Sequence, residues 1–214
     1  MESRPNFKEM TTKKKIEYIW DYYKVIILCS IFAIYAIGSA IYNHVTEKEC
    51  MLKLIMINGN IPYDGAIFAD DFLQEQELNP ETQEIVVSSI GLGLTNETYQ
   101  EDYNTTQALI VRLTSGNIDI MSAPSEIYKD YAKEGYYHNL NDIFTPDELA
   151  RYEDLLVFTT DSVTNETYPC GFDLSNSTWI DKYGYYSGDC QFGIIYNCTH
   201  IELAREFLLF VLNY

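Results

Sequence analysis

The sequence predicts an α/β domain carried outside the cell on a single N-terminal transmembrane helix. Three observations predict it. An 18-residue uncharged run, Val25 to Tyr42 (VIILCSIFAIYAIGSAIY), is flanked by tyrosine and tryptophan. Short β-branched or apolar runs then alternate with helical patterns that end at glycine. Charge divides along the chain: residues 1–45 carry six Lys/Arg against four Asp/Glu, whereas residues 46–214 carry eight against 28.

A run of this length crosses a hydrocarbon core of about 30 Å as a helix. Arg4, Lys8, Lys13, Lys14, Lys15 and Lys24 precede it, and only His44 and Lys48 follow closely. The positive-inside bias therefore puts residues 1–24 in the cytoplasm, 25–42 in the plasma membrane, 43–50 in a short tether and 51–214 outside. Trp20, Tyr22 and Tyr23 stand where an interfacial aromatic belt belongs, and Thr11 to Tyr23 reads as a helix entering the membrane. Gly38-Ser39-Ala40 offers a signal-peptide cleavage alternative, against which the long cationic leader argues. Cys29 fails as a lipoprotein site because Leu28 stands where Gly or Ala is needed.

Met51–Ile57 reads as a buried strand closed by Asn58-Gly59-Asn60, and Ala66–Glu77 as a helix with Ile67, Phe68, Phe72 and Leu73 on one side. Glu84–Ile90 is a second strand, Glu97–Ser115 a helix stopped by Gly116, and Ile118–Met121 a third strand. Ser122 to Ser125 then turns into the helix Glu126–Glu134, which ends at Gly135. This rhythm argues for adjacent, parallel strands with helices on both faces. Leu140–Phe144 and Pro146–Leu156 read as short helices, Tyr168–Leu174 and Gln191–Tyr196 as strands, and Ile201–Tyr214 as an apolar helix packed on the sheet.

The acidic outer region repels phosphate backbones, so nucleic acid is not an expected partner. No Gly-x-Ser-x-Gly, Gly-x-x-x-x-Gly-Lys or His-Glu-x-x-His motif occurs, so no enzyme, cofactor or metal site is expected. His44, His138 and His200 lie in unrelated contexts and read as surface or capping residues. Ligands of open α/β sheets bind beyond the carboxyl ends of the strands. That rule nominates Asn58, Gly59, Ser88, Ser122 and Ser125, the last two also flanking a helix N-terminus suited to an anion. Asp173 and Trp179 join them, Trp179 lying in a loop as a ring for a sugar to stack on or as core; Tyr183, Tyr185 and Tyr186 cluster nearby. Cys50, Cys170, Cys190 and Cys198 permit disulfides. Cys190 and Cys198 are about 26 Å apart along one strand, so Cys170 with one of them is the more plausible pair.

Three segments together resemble an extracellular solute-binding protein of the ABC-importer type: Leu109–Met121, Tyr131–Leu140 and Phe192–Leu208. Tyr18 to Lys24 (YIWDYYK) is similar to membrane proteins of low-GC Gram-positive bacteria. The resemblance implies one three-layer lobe, half of a type II periplasmic-binding-protein fold, where such proteins have two. It implies a membrane-tethered module that presents a sugar, peptide or protein partner to an ABC permease or envelope complex. The alternative is a structural envelope protein that uses the lobe only for protein–protein contact.

Overall fold

The computed structural model describes residues 11–61, 67–93 and 99–214, which form two compact units divided between Glu47 and Lys48. The first is one helix, α1 (Thr12–Thr46), 35 residues long. At 1.5 Å per residue it is about 52 Å long, enough for the expected span and the preceding aromatic stretch in one piece. Trp20–Ser39 is long and apolar enough to cross a membrane, and its side chains lie open, Val25 at 65% exposure and Phe32 at 72%. The helix continues to Thr46, and the first strand begins at Glu49, so little of the 43–50 stretch is irregular.

The second unit is a six-stranded mixed sheet in the order β2-β1-β3-β6-β5-β4. Its strands are β1 (Glu49–Ile57), β2 (Gln83–Ile90), β3 (Ile120–Ala123), β4 (Leu156–Thr160), β5 (Thr167–Asp173) and β6 (Gln191–Ile194). The three strands expected to be parallel are so: β1 runs parallel to β2 on one side, with Leu54 beside Val87, and to β3 on the other, with Ile55 beside Met121. The remaining pairings, β3–β6, β6–β5 and β5–β4, are antiparallel.

Helices cover both faces. They are α2 (Ile67–Glu75), α3 (Tyr99–Thr114), α4 (Ser125–Lys133), α5 (Pro146–Arg151), α6 (Thr178–Tyr183) and α7 (Ile201–Leu212). On one face Leu52, Leu54 and Met56 of β1 meet Phe68 and Phe72 of α2, Trp179 of α6 and Phe207 of α7. On the other, Ile55 and Ile57 meet Leu109 and Leu113 of α3 and Tyr128 and Ala132 of α4. A strand buried on both faces must be apolar at successive positions, which is why β1 reads from Cys50 to Ile57 as an apolar run interrupted only by Lys53.

Two expectations need correction. Pro146–Leu156 is not one helix: α5 stops at Arg151, and Leu156–Thr160 is the edge strand β4. Trp179 is not in a loop but in α6, capped at its start by the Ser177 hydroxyl and closed by Gly184 at φ 65°.

Between β5 and β4 the register slips, so that Val157 faces Gly171 and Phe158 faces Pro169, leaving Cys170 as an extra residue. The bulge puts Cys170 on the α3–α4 side, whereas Cys190 packs on the α7 side. All five cysteines are free thiols. The sheet thus separates Cys170 from Cys190, which removes the reason for that pairing.

Candidate functional site: the strand-end edge

The carboxyl ends of β1 and β3 share one edge of the sheet with the amino end of β6 and the carboxyl end of β5, since Ala123 pairs with Gln191 and Gln191 with Asp173. This edge brings Asn58, Gly59, Ser122, Ser125 and Asp173 together, as the strand-end rule requires. Most of them, however, are already satisfied by the chain itself.

Asn58 adopts φ 57°, a left-handed conformation that asparagine tolerates. Its side chain bonds both backbone groups of Leu92, at 2.8 Å to the oxygen and 2.7 Å from the nitrogen, locking the end of β1 to the segment after β2. Gly59 accepts from the Ser89 hydroxyl at 2.6 Å, and a Cβ there would stand 3.3 Å from the Tyr186 ring. The Ser122 hydroxyl is fully buried and lies 2.8 Å from the Tyr186 hydroxyl, which also donates to the Ile57 carbonyl at 3.1 Å. Asn60 N–H donates to Tyr185 O at 2.7 Å. The crevice between β1 and β3 is therefore filled by Tyr185 and Tyr186, on the connection from α6 to β6.

The start of α4 is also taken. Ser125 N–H donates to Asp189 Oδ2 at 2.8 Å, and these Ser125 hydrogen bonds hold the Asp189 carboxyl below its ordinary range. The anion that the helix N-terminus favours is the chain's own. Ser88 accepts from Arg112 Nη2 at 3.2 Å, tying β2 to α3. Trp179 is fully buried, with ring centroids of Phe68, Tyr185 and Phe192 between 5.0 and 5.9 Å away, so it offers no face to a sugar.

Asp173 stands apart. Its Oδ1 accepts from the Ser175 N–H at 3.0 Å and from the Ser175 hydroxyl. The residue borders a cleft of about 380 Å³ lined by Asp154, Leu155, Leu174, Ser177, Val211 and Tyr214, among others. Two carboxylates thus stand at an apolar floor with hydroxyl donors beside them. The Tyr214 ring on the border of the cleft already carries a cation of the chain: Lys182 Nζ lies 4.7 Å from its ring centroid and donates to its hydroxyl, which pulls the Tyr214 phenol down.

One constellation escaped the sequence. The Asp119 carboxylate is buried and accepts Lys53 N–H at 2.8 Å, the Cys198 thiol at 3.3 Å and His200 Nδ1, which is 3.3 Å from both oxygens. Burial, and then the Asp119 charge, pushes the Cys198 thiol up to about 12, which keeps it a neutral thiol that donates a hydrogen bond to the carboxylate rather than a thiolate nucleophile. His200 thus has partners that its sequence context hid. The cluster pins the β6–α7 connection to the amino end of β3; among the described residues, no group of three or more His, Cys, Asp or Glu is placed to hold a metal ion.

Comparison of the chain with protein-family models, with curated proteins and with solved structures found no match.

Proposed function

We propose that this chain is a membrane-anchored binding module whose outer domain, on the extracytoplasmic side, takes a cationic ligand in the cleft at Asp154 and Asp173. The ligand class is an amine- or guanidinium-bearing peptide segment, either free or part of an envelope or permease protein. The observation that carries the reading is the cleft itself: two carboxylates, Asp154 and Asp173, beside the apolar side chains of Leu155, Leu174 and Val211. The acidic excess of residues 46–214 supports it, because the summed field attracts cations toward the domain. The resemblance of Leu109–Met121, Tyr131–Leu140 and Phe192–Leu208 to solute-binding proteins fits the same module, presenting its ligand to a transporter or envelope complex.

The burial of Trp179 favours peptide over sugar, since the ring nominated to stack on a sugar offers no face. Isothermal titration of the full chain in neutral-lipid nanodiscs tests this, with Lys-Leu-Lys amide and maltotriose as probes. The tripeptide should bind, weaken in Asp173→Asn and Asp154→Asn, and outcompete nothing that maltotriose occupies. Binding of neither probe would leave the structural envelope protein as the better reading.

A further inference from the structure

The sheet has two edges, and they are built differently. At the β2 edge the strand carries Gln83 and Glu84, and the Arg112 side chain of α3 reaches Ser88. A charge on the strand is the usual guard of an open edge. At the other edge, β4 (Leu156–Thr160) pairs, among the described residues, with β5 alone, and it carries no charge at all. Its Val157 and Thr159 are buried, whereas Phe158 is 54% exposed. Beside the strand runs a groove of about 350 Å³ lined by Phe158, Thr159 and Thr160 and, across from them, by Lys129, Ala132 and Lys133 of α4.

The lysines are the informative feature. They are two of only eight Lys/Arg among residues 46–214, against 28 Asp/Glu. They sit on the helix rather than on the strand, so they do not obstruct a chain that pairs with β4; they flank it. Lys133 Nζ lies 3.2 Å from Asp130 at the surface, a solvated pair that contributes little and yields readily. Residues four apart on a helix are about 6 Å apart on one face. Alternate residues of an extended strand are about 6.8 Å apart on one face. Two acidic side chains at positions i and i+2 of an added strand therefore match the Lys129–Lys133 spacing, while the residues between them face the Phe158 side.

We propose that β4 is a docking edge for an extended segment of a partner protein, one with acidic residues at alternate positions and β-branched residues between them, which adds to the sheet as a seventh strand. Main-chain hydrogen bonds to β4 supply affinity, and the two lysines supply selectivity and direction. The site is separate from the acidic cleft, and its two lysines select for the opposite charge at short range, against the repulsion of the domain's acidic excess.

The test is fluorescence anisotropy of labelled Thr-Val-Glu-Val-Glu-Val-Thr with the full chain in neutral-lipid nanodiscs. Binding should weaken at least tenfold in the Lys129→Glu/Lys133→Glu double variant and several-fold in Phe158→Ala. All three side chains are exposed, so an unchanged melting curve shows that the fold is intact. A peptide with lysine in place of glutamate, and one with proline at its central position, should each bind at least tenfold more weakly. No binding of the first peptide, equal binding of the lysine or proline peptide, or affinity indifferent to all the substitutions would overturn the proposal. A chain that dimerises through Phe158 and thereby excludes the peptide would also overturn it, making a second copy the occupant.

Discussion

Ser125 N–H donates to Asp189 Oδ2 at 2.8 Å, so the first turn of α4 is closed by a carboxylate 64 residues further along the chain. Helix α4 has no side-chain cap of its own, because Pro124 stands in the capping position. Asp189 replaces that cap and completes the edge that Tyr186 begins. Its carboxyl lies below the ordinary range because Ser125 donates to it, from its side chain and its backbone. A group depressed in the folded state stabilises above its unfolded pKa and loses that contribution as pH falls through the folded value. Asp189→Ala should therefore lower the stability of residues 48–214 by about 0.5–1 kcal/mol at pH 7, a figure kept small by the exposure of Asp189. The gap from wild type should narrow below about pH 4 and close once the carboxyl is protonated. Urea unfolding at pH 7 and at pH 3 checks this, and an undiminished gap at the lower pH would refute it.

Tyr128 lies across two glycines on adjacent antiparallel strands. Its hydroxyl donates to Cys170 O at 2.8 Å and its ring stacks on Tyr137 with centroids 4.1 Å apart. A Cβ at Gly193 would strike the Tyr128 hydroxyl, with the Tyr137 ring 2.7 Å and Cys170 O 2.8 Å away. Gly193→Ala should cost about 2–3 kcal/mol, at the upper end of overpacking. Adding Tyr128→Phe removes the atom that is struck, so the double variant should be less destabilised than the sum of the two single ones. Strict additivity in denaturant unfolding would show that the sheet, not Tyr128, takes the strain.

The thiols should react in an order set by burial. Burial pushes Cys170 and Cys190 up to about 12, and burial with the neighbouring Asp119 does the same to Cys198. Cys50 is also raised by burial but is only partly covered. Iodoacetamide at pH 8 should label Cys50 first in native residues 48–214 and leave Cys170 and Cys190 unmodified until the domain unfolds. Mass spectrometry of the time course decides it; early modification of Cys170 would contradict the packing of the β5 bulge.

The same inertness makes orientation easy to measure. With Cys29 and Cys50 replaced by serine, Lys129→Cys should react with an impermeant maleimide in intact cells, whereas Lys8→Cys should not. The expectation rests on six Lys/Arg before the apolar run and few after it. The reverse labelling pattern would place the domain in the cytoplasm.

What the sequence made legible is what is local. β1, β2 and β3 announce themselves as apolar or β-branched runs, α3 and α4 by periodicity and terminal glycines, and α7 by its apolar run, because each signal is local in the chain. β4 was hidden by the helical pattern Pro146–Arg151 running into Leu155-Leu156-Val157; only pairing with β5 makes Leu156–Thr160 a strand. Most of the residues nominated at the strand ends do lie along one edge, but which groups of the chain itself occupy that edge was illegible. Tyr186 reaches Ser122 across 64 residues and Ile57 across 129, and His200 reaches Asp119 across 81. No spacing rule carries that far.

That occupancy fixes what the domain should do with a small ligand. A pocket typically covers 70–90% of a small ligand's surface, and here the enclosed crevice between β1 and β3 is filled by Tyr185 and Tyr186. The cleft at Asp154 and Asp173 is an open face, from which water is only partly excluded. A cationic tripeptide should therefore bind the isolated chain with a dissociation constant in the high micromolar to millimolar range, about -4 to -6 kcal/mol. Asp173→Asn keeps the acceptor for Ser175 but removes the charge, and should weaken binding roughly tenfold without unfolding the domain. Ser122→Ala should do the opposite: it breaks the bond to Tyr186, lowers stability by about 1 kcal/mol, and leaves ligand affinity unchanged. Titration calorimetry paired with thermal unfolding separates the two sites. A sub-micromolar constant for the lone chain, or an affinity that follows Ser122 rather than Asp173, would mean that Tyr186 leaves the crevice and that the ligand enters between β1 and β3 after all.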